Sequence, residues 1–164
     1  SIEITAARQG VKFIPAHVIL ARNGVSYEIP LKNGKLIPDQ LFALDYGGSY
    51  RAFLLEVDRG TEPVKSKAAR KSLGRSIQQY ADVIEKSLHN HHYGLKMNIL
   101  ALWVFTSRTR QSNFLQLLEA CSERVRQSVL TKVIDPGSIG RTIDTTLFEG
   151  QWQRSRVSPF KICS

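Results

Sequence analysis

Only two of the 164 residues are cysteine, Cys121 and Cys163, and they stand far apart, with no CxxC pair and no Cys/His cluster at zinc spacing. That argues against a disulfide-stapled secreted scaffold or a structural zinc fold, and a reducing, cytoplasmic setting is the expectation. Long hydrophobic runs are missing too. The longest, Ile99 to Phe105, falls far short of the roughly 20 residues that cross a bilayer, and the N-terminus lacks the charged-then-apolar order of a signal peptide, so no membrane partner is expected. No internal repeat or low-complexity tract occurs. Gly47-Gly48 lacks the lysine and following helix of a phosphate-binding loop, and the spacings build no Ser-His-Asp or Cys-His triad. His89, His91 and His92 have no matching Cys or acid motif, and charge at a helix C-terminus accounts for them. Acid is scarce relative to base: 14 Asp and Glu face 23 Lys and Arg, a formal net charge of +9. Such a balance favours a polyanionic partner, of which nucleic acid is the most direct, although an anionic membrane surface can also attract such a protein.

What is present fits one domain, residues 1–164, with enough apolar content for a real core. The chain begins at Ser1 without a methionine, which suggests a part of a longer protein. Residues 1–22 are the least legible, with Pro15 interrupting any long helix. Three strands are predicted next, at 25–31, 36–45 and 50–58, joined by a type I′ turn at Asn33-Gly34 and by Gly47-Gly48 into a meander. From Pro63 the period becomes helical, with Leu73, Ile77, Tyr80 or Ala81, Ile84 and Leu88 on one stripe and a stop at Gly94. Met97 to Thr106 reads as a strand buried on both faces. Ser112 is the expected cap of a second helix whose stripe is Phe114, Leu117 or Leu118, Cys121, Val125 and Val129. Short strands at 132–134 and 143–148 and a loosely ordered basic tail complete the expectation.

Function is most legible in PDQLFALDYGGSYRAFLLEVDRGTE, residues 38–62, where apolar strands carry acids. If the turn centres on Gly47-Gly48, Asp39 lies opposite Glu56, with Cβ atoms about 5 Å apart. Alternation puts Asp58 on the same face as Glu56, and Phe53, Leu55 and Val57 on the other. Three carboxylates would converge there, and like charges so close call for a raised pKa, cationic neighbours or a divalent metal. The helix that follows carries Lys65, Lys67, Arg70, Lys71 and Arg75 and is expected to begin beside the acids. Arg108 and Arg110 follow the buried strand, where basic groups meet phosphate.

The element order, with Pro38-Asp39 on one strand and Glu56-Val57-Asp58 on the next, resembles the PD-(D/E)XK nuclease superfamily over roughly residues 25 to 120. More narrowly, FLLEVDRGTEPVK, residues 53–65, resembles the core of bacterial plasmid replication-relaxation proteins, in which a nuclease-like domain commonly follows a winged-helix DNA-binding domain. The resemblance implies an α/β fold, a mixed central sheet flanked by helices in the restriction-endonuclease-like order αβββαβ. It further implies a Mg²⁺- or Mn²⁺-dependent deoxyribonuclease or nickase acting in plasmid or mobile-element DNA processing, with Asp39 and Glu56 as metal ligands and DNA as partner. A homodimer is compatible with it. The departure is at Asp58, where the pattern usually has lysine. Asp58 then binds a second metal or serves as base, or Lys65 or Lys67 supplies the lysine role, or Arg59 substitutes electrostatically, or catalysis is lost. Arg59, Lys65, Lys67, Arg70, Lys71, Arg75, Arg108 and Arg110 are the expected DNA contacts. The alternative is a catalytically inactive nuclease-fold module that binds DNA or assists assembly.

Overall fold

The computed structural model describes residues 2–21, 24–60, 67–135 and 147–163, those at 67–71 by their backbone alone. Its centre is a five-stranded mixed sheet in the order β1 (Lys12–Pro15), β4 (Gln40–Asp45), β5 (Tyr50–Asp58), β6 (Ile99–Phe105), β7 (Val129–Val133). β4 runs antiparallel to its neighbours β1 and β5, whereas β5, β6 and β7 run parallel. Parallel neighbours require crossovers, and helices supply both. α3 (Lys67–Glu85) and α4 (Leu88–Tyr93) link β5 to β6, and α5 (Arg108–Leu118) and α6 (Glu123–Ser128) link β6 to β7.

The sheet is buried on both faces, which is why β6 reads as an unbroken apolar run. Leu54, Ala101, Trp103 and Phe105 face Leu73, Ile77, Tyr80, Phe114 and Leu118 of the helices. Phe53, Leu55, Leu102 and Val104 face Ala6 of α1 (Ile2–Arg8) and Leu147, Phe148, Trp152 and Ile162 of the C-terminal segment. α2 (Ala16–Ala21) packs against β1 and β4.

Several expectations change. The strands predicted at 25–31 and 36–45 do not form one meander with β5. β2 (Ile29–Leu31) and β3 (Gly34–Leu36) make a separate two-stranded hairpin, and β1, from the illegible N-terminus, takes the place beside β4. The predicted type I′ turn needs positive φ at both central residues. The turn residues here are Lys32 and Asn33, neither with positive φ, and it is Gly34 that adopts φ 128°. The long helix breaks after Glu85, where Ser87 adopts a left-handed φ of 52°, before α4 resumes. The second helix is two helices. Ser107, not Ser112, caps α5 by accepting from the Arg110 N–H, and Ser122 caps α6 in the same way, so Val129 belongs to β7. Of the strand expected at 143–148, residues 143–146 lie outside those described, and Leu147-Phe148 form a helical turn. The tail is not loose: Trp152 is fully buried, Gln153 bridges to Thr131 of β7, and Trp152 to Phe160.

Candidate functional site

The β4–β5 hairpin pairs Asp45 with Tyr50 and Gln40 with Leu55, the register centred on Gly47-Gly48. Local chemistry fixes it. Asp45 Oδ1 accepts from the N–H groups of Gly47 (2.8 Å) and Gly48 (3.0 Å), whose φ values of 93° and 107° suit glycine. Carried one step past β4, the same register sets Asp39 opposite Glu56, and the Asp39 N–H donates to the Leu55 carbonyl at 3.0 Å. The Val57 N–H in turn donates to Asp39 Oδ2 at 2.8 Å, holding that carboxylate across the strand.

Glu56 points to the helix-covered face, at the carboxyl end of β5 and beside Trp103 of β6. Burial lifts its pKa from 4.5 to about 7. The charge of Asp39 and a hydrogen bond between the two carboxyl groups push the same way, against a hydrogen bond from Tyr80 that lowers it. That bond runs from the Tyr80 hydroxyl to Glu56 Oε1 at 2.6 Å. Tyr80 is buried and its own pKa is well above the ordinary value, chiefly through burial and then through Glu56. Tyr27 also feels both carboxylates, and burial plus their charge raises it to about 12. Both phenols are therefore un-ionised at physiological pH, and Tyr80 is the one that donates to Glu56.

The third acid does not join the pair. Asp58 shares the face of Glu56, as alternation requires, but Arg110 from the first turn of α5 grips it with both arms: Nε to Oδ1 at 2.8 Å and Nη2 to Oδ2 at 2.7 Å. The Gly60 N–H adds a bond to Oδ1 at 2.9 Å. Side-chain exposures of 7% for Arg110 and 11% for Asp58 make this a buried ion pair. Arg110, expected at a phosphate, is instead an internal counter-charge, and among the described residues no three His, Cys, Asp or Glu side chains form a metal-holding group.

Among the expected DNA contacts, Arg59 just past β5, Arg75 on α3 and Arg108 at the start of α5 are exposed. Lys65 lies outside the described residues, and Lys67, Arg70 and Lys71 sit in the opening turns of α3, where only the backbone is described. Lys67 precedes Tyr80 by about 20 Å of helix axis, so α3 begins well away from its contact with Glu56. Sequence reasoning missed the roles of Tyr27 and Tyr80. Tyr80 stood on the apolar stripe and read as packing. The one available signal was a hydroxyl on a helix face turned toward a strand that carries a buried acid.

Asp39 and Glu56 fit a small hard cation. Beyond the bonds from Val57 and Tyr80 their remaining oxygens face each other, sharing a hydrogen bond that a cation would replace, and Mg²⁺ is commonly held by one or two carboxylates with the remaining positions left to water and substrate oxygen. Two donors set no preference between Mg²⁺ and Mn²⁺. Among the described residues, no helix is long and apolar enough to cross a membrane.

The model of the family described as replication-relaxation matches residues 7–99, more than half of the chain, from α1 to the first residue of β6. The matched stretch contains Asp39, Glu56, Asp58, Tyr27 and Tyr80. No curated protein and no solved structure matches the chain. The chain belongs to the replication-relaxation family, a membership that suggests a role in plasmid replication or relaxation and an involvement with DNA.

Proposed function

We propose that this protein is a metal-dependent DNA phosphodiesterase, an endonuclease or nickase of PD-(D/E)XK type, centred on Asp39 and Glu56. The observation that carries the reading is the pairing of these two carboxyl groups at the carboxyl end of β5, with Glu56 lifted to about 7. Two ionised acids held together at the edge of a core repel each other, and a bound cation relieves that repulsion where a shared proton does not. The order α1, β1, β4, β5, α3, β6 supports it as well, since it contains the αβββαβ series once α2 and the β2–β3 hairpin are set aside as an insertion.

In this reading Asp39 and Glu56 would hold Mg²⁺ or Mn²⁺, whose chemistry is to polarise a phosphodiester and to acidify a bound water. Tyr80 fixes the Glu56 rotamer through its 2.6 Å bond. The Val57 N–H keeps the Asp39 carboxylate facing it. Arg59, Arg75 and Arg108, all exposed, would neutralise the DNA backbone. The Asp58–Arg110 pair braces the end of β5 against α5 and takes no part in proton transfer.

That ion pair also favours a second reading. The position usually held by lysine is filled by an acid locked to an arginine, as suits a domain that grips DNA without cutting it. A plasmid-nicking assay with Mg²⁺ or Mn²⁺ separates the two. Nicking by the native chain that is lost in Asp39→Asn and Glu56→Gln supports the first. Salt-sensitive binding without nicking supports the second, and nicking that survives both substitutions excludes the site.

A further inference from the structure

At the other end of the sheet lies a cavity of about 320 Å³ that the carboxylate pair does not touch. Arg51, Arg124, Arg154, His89, Asn98 and Phe160 line it, converging from β5, α6, the C-terminal segment, α4 and the loop before β6. Arg51 precedes Glu56 by about 17 Å of extended strand, so the two places are separate.

The charge here is one-sided. No acid lines the cavity, and among the described residues none of the three arginines belongs to an ion pair. Two guanidinium groups crowd one ring: Arg51 lies 5.0 Å and Arg154 5.3 Å from the centroid of Phe160, and Arg51 also lies over Tyr46 at 5.4 Å. Main-chain oxygens orient Arg154, which donates to Ser158 (2.7 Å) and Gln127 (3.1 Å), and Arg124 is tethered to Ser87 Oγ at 3.1 Å. Oriented cations without a counter-charge repel one another, and an anion in their midst removes the penalty. The second observation is His89. It is only 4% exposed, and although the main chain of Val83 and Met97 lies against its ring, Nδ1 has no hydrogen-bond partner. An unsatisfied buried nitrogen in a polar cavity is a place for a hydrogen-bonding group of a ligand.

We propose that this cavity is a phosphate-binding site for a nucleotide, with Arg51, Arg124 and Arg154 on the phosphate oxygens and Phe160 holding the guanidinium planes. Arginine is suited to this because its planar fork matches phosphate oxygens two at a time, and the neighbouring amide of Asn98 offers polar contacts to the rest of the nucleotide. The phosphate belongs either to a free nucleotide or to a DNA strand. The site does not depend on the metal chemistry proposed for Asp39 and Glu56.

The test is calorimetric titration of the 164-residue chain, in EDTA, with deoxyadenosine monophosphate and with a short oligothymidylate. Native protein binds at least one probe, and Arg124→Gln or Arg154→Gln weakens it tenfold or more, while Lys35→Gln, an exposed cation on the β2–β3 hairpin, leaves it unchanged. Tighter binding of the monophosphate identifies a free nucleotide, and tighter binding of the oligomer a strand. On native protein alone, the bound probe slows phenylglyoxal modification of Arg51, Arg124 and Arg154, a readout that does not depend on any variant folding. Binding equally weak in native and arginine variants, unprotected arginines, or a loss as large in Lys35→Gln would each overturn the assignment.

Discussion

Replacing Glu56 by glutamine removes a charge from the buried end of β5 while keeping the shape and an oxygen to accept the Tyr80 hydroxyl. Burial lifts the Glu56 carboxyl from 4.5 to about 7. At about 1.4 kcal/mol per pH unit, ionising it in the folded protein costs up to about 3 kcal/mol, a ceiling because the side chain keeps some contact with water. The folded pKa is the higher one, so between 4.5 and 7 the folded state holds more proton than the unfolded chain. Stability therefore falls as pH rises through that window, and the loss is complete above about 7. Glu56→Gln should unfold at higher urea than the native chain at pH 8, and its advantage should be about 2 kcal/mol greater at pH 8 than at pH 5. The buried Trp103 and Trp152 report the transition by fluorescence. Comparing the two proteins at each pH also cancels the opposing contribution of His89. Burial depresses its pKa from 6.5 to about 4, so its stabilisation is lost as pH falls through that range. Added Mg²⁺ should narrow the advantage at pH 8 by stabilising the native carboxylates and not the glutamine variant. An advantage that stays constant from pH 5 to 8, or a native chain that gains on the variant as pH rises, would refute the burial argument.

Tyr80→Phe deletes the bond that lowers the Glu56 pKa, so the carboxyl should titrate higher still in an NMR pH series, with a stability loss of about 1 kcal/mol. Arg110→Ala leaves the Asp58 carboxylate buried and unpaired, and urea unfolding should register a loss of about 3–5 kcal/mol, largely recovered when Asp58→Asn is added. Trp152→Ala removes a fully buried ring outside the family match. A loss of about 3–5 kcal/mol in the same assay would establish that the C-terminal segment belongs to the core.

How much could be read beforehand depended on whether the deciding interactions were local. The β4–β5 register was legible because Asp45, Gly47 and Gly48 settle it among themselves. β6 was legible because burial on both faces leaves an unbroken apolar run. The strand beside β4 was not, since four residues, Lys12–Pro15, carry too little pattern to name a partner thirty residues away. The fate of Asp58 depended on an arginine 52 positions later. Arg110 looked like any surface cation at a strand end. Only the packing of α5 onto β6 turns it inward, and with it one of three acids leaves the candidate site. The C-terminal segment was misread because its few apolar residues, Trp152, Phe160 and Ile162, are spaced for neither strand nor helix.

The turn at Gly47-Gly48 has a consequence for how this gene tolerates error. Glu56 lies about 20 Å of strand beyond Tyr50, and the turn touches nothing at the far end of the hairpin. Even so, the turn decides which residue Glu56 meets, because inserting or deleting one residue there shifts every pairing and turns Asp39 to the opposite face. Substitutions at the exposed Ser49 should pass almost unnoticed, while a single added codon beside it should separate the two acids. The length of this loop, more than its composition, is the information it carries.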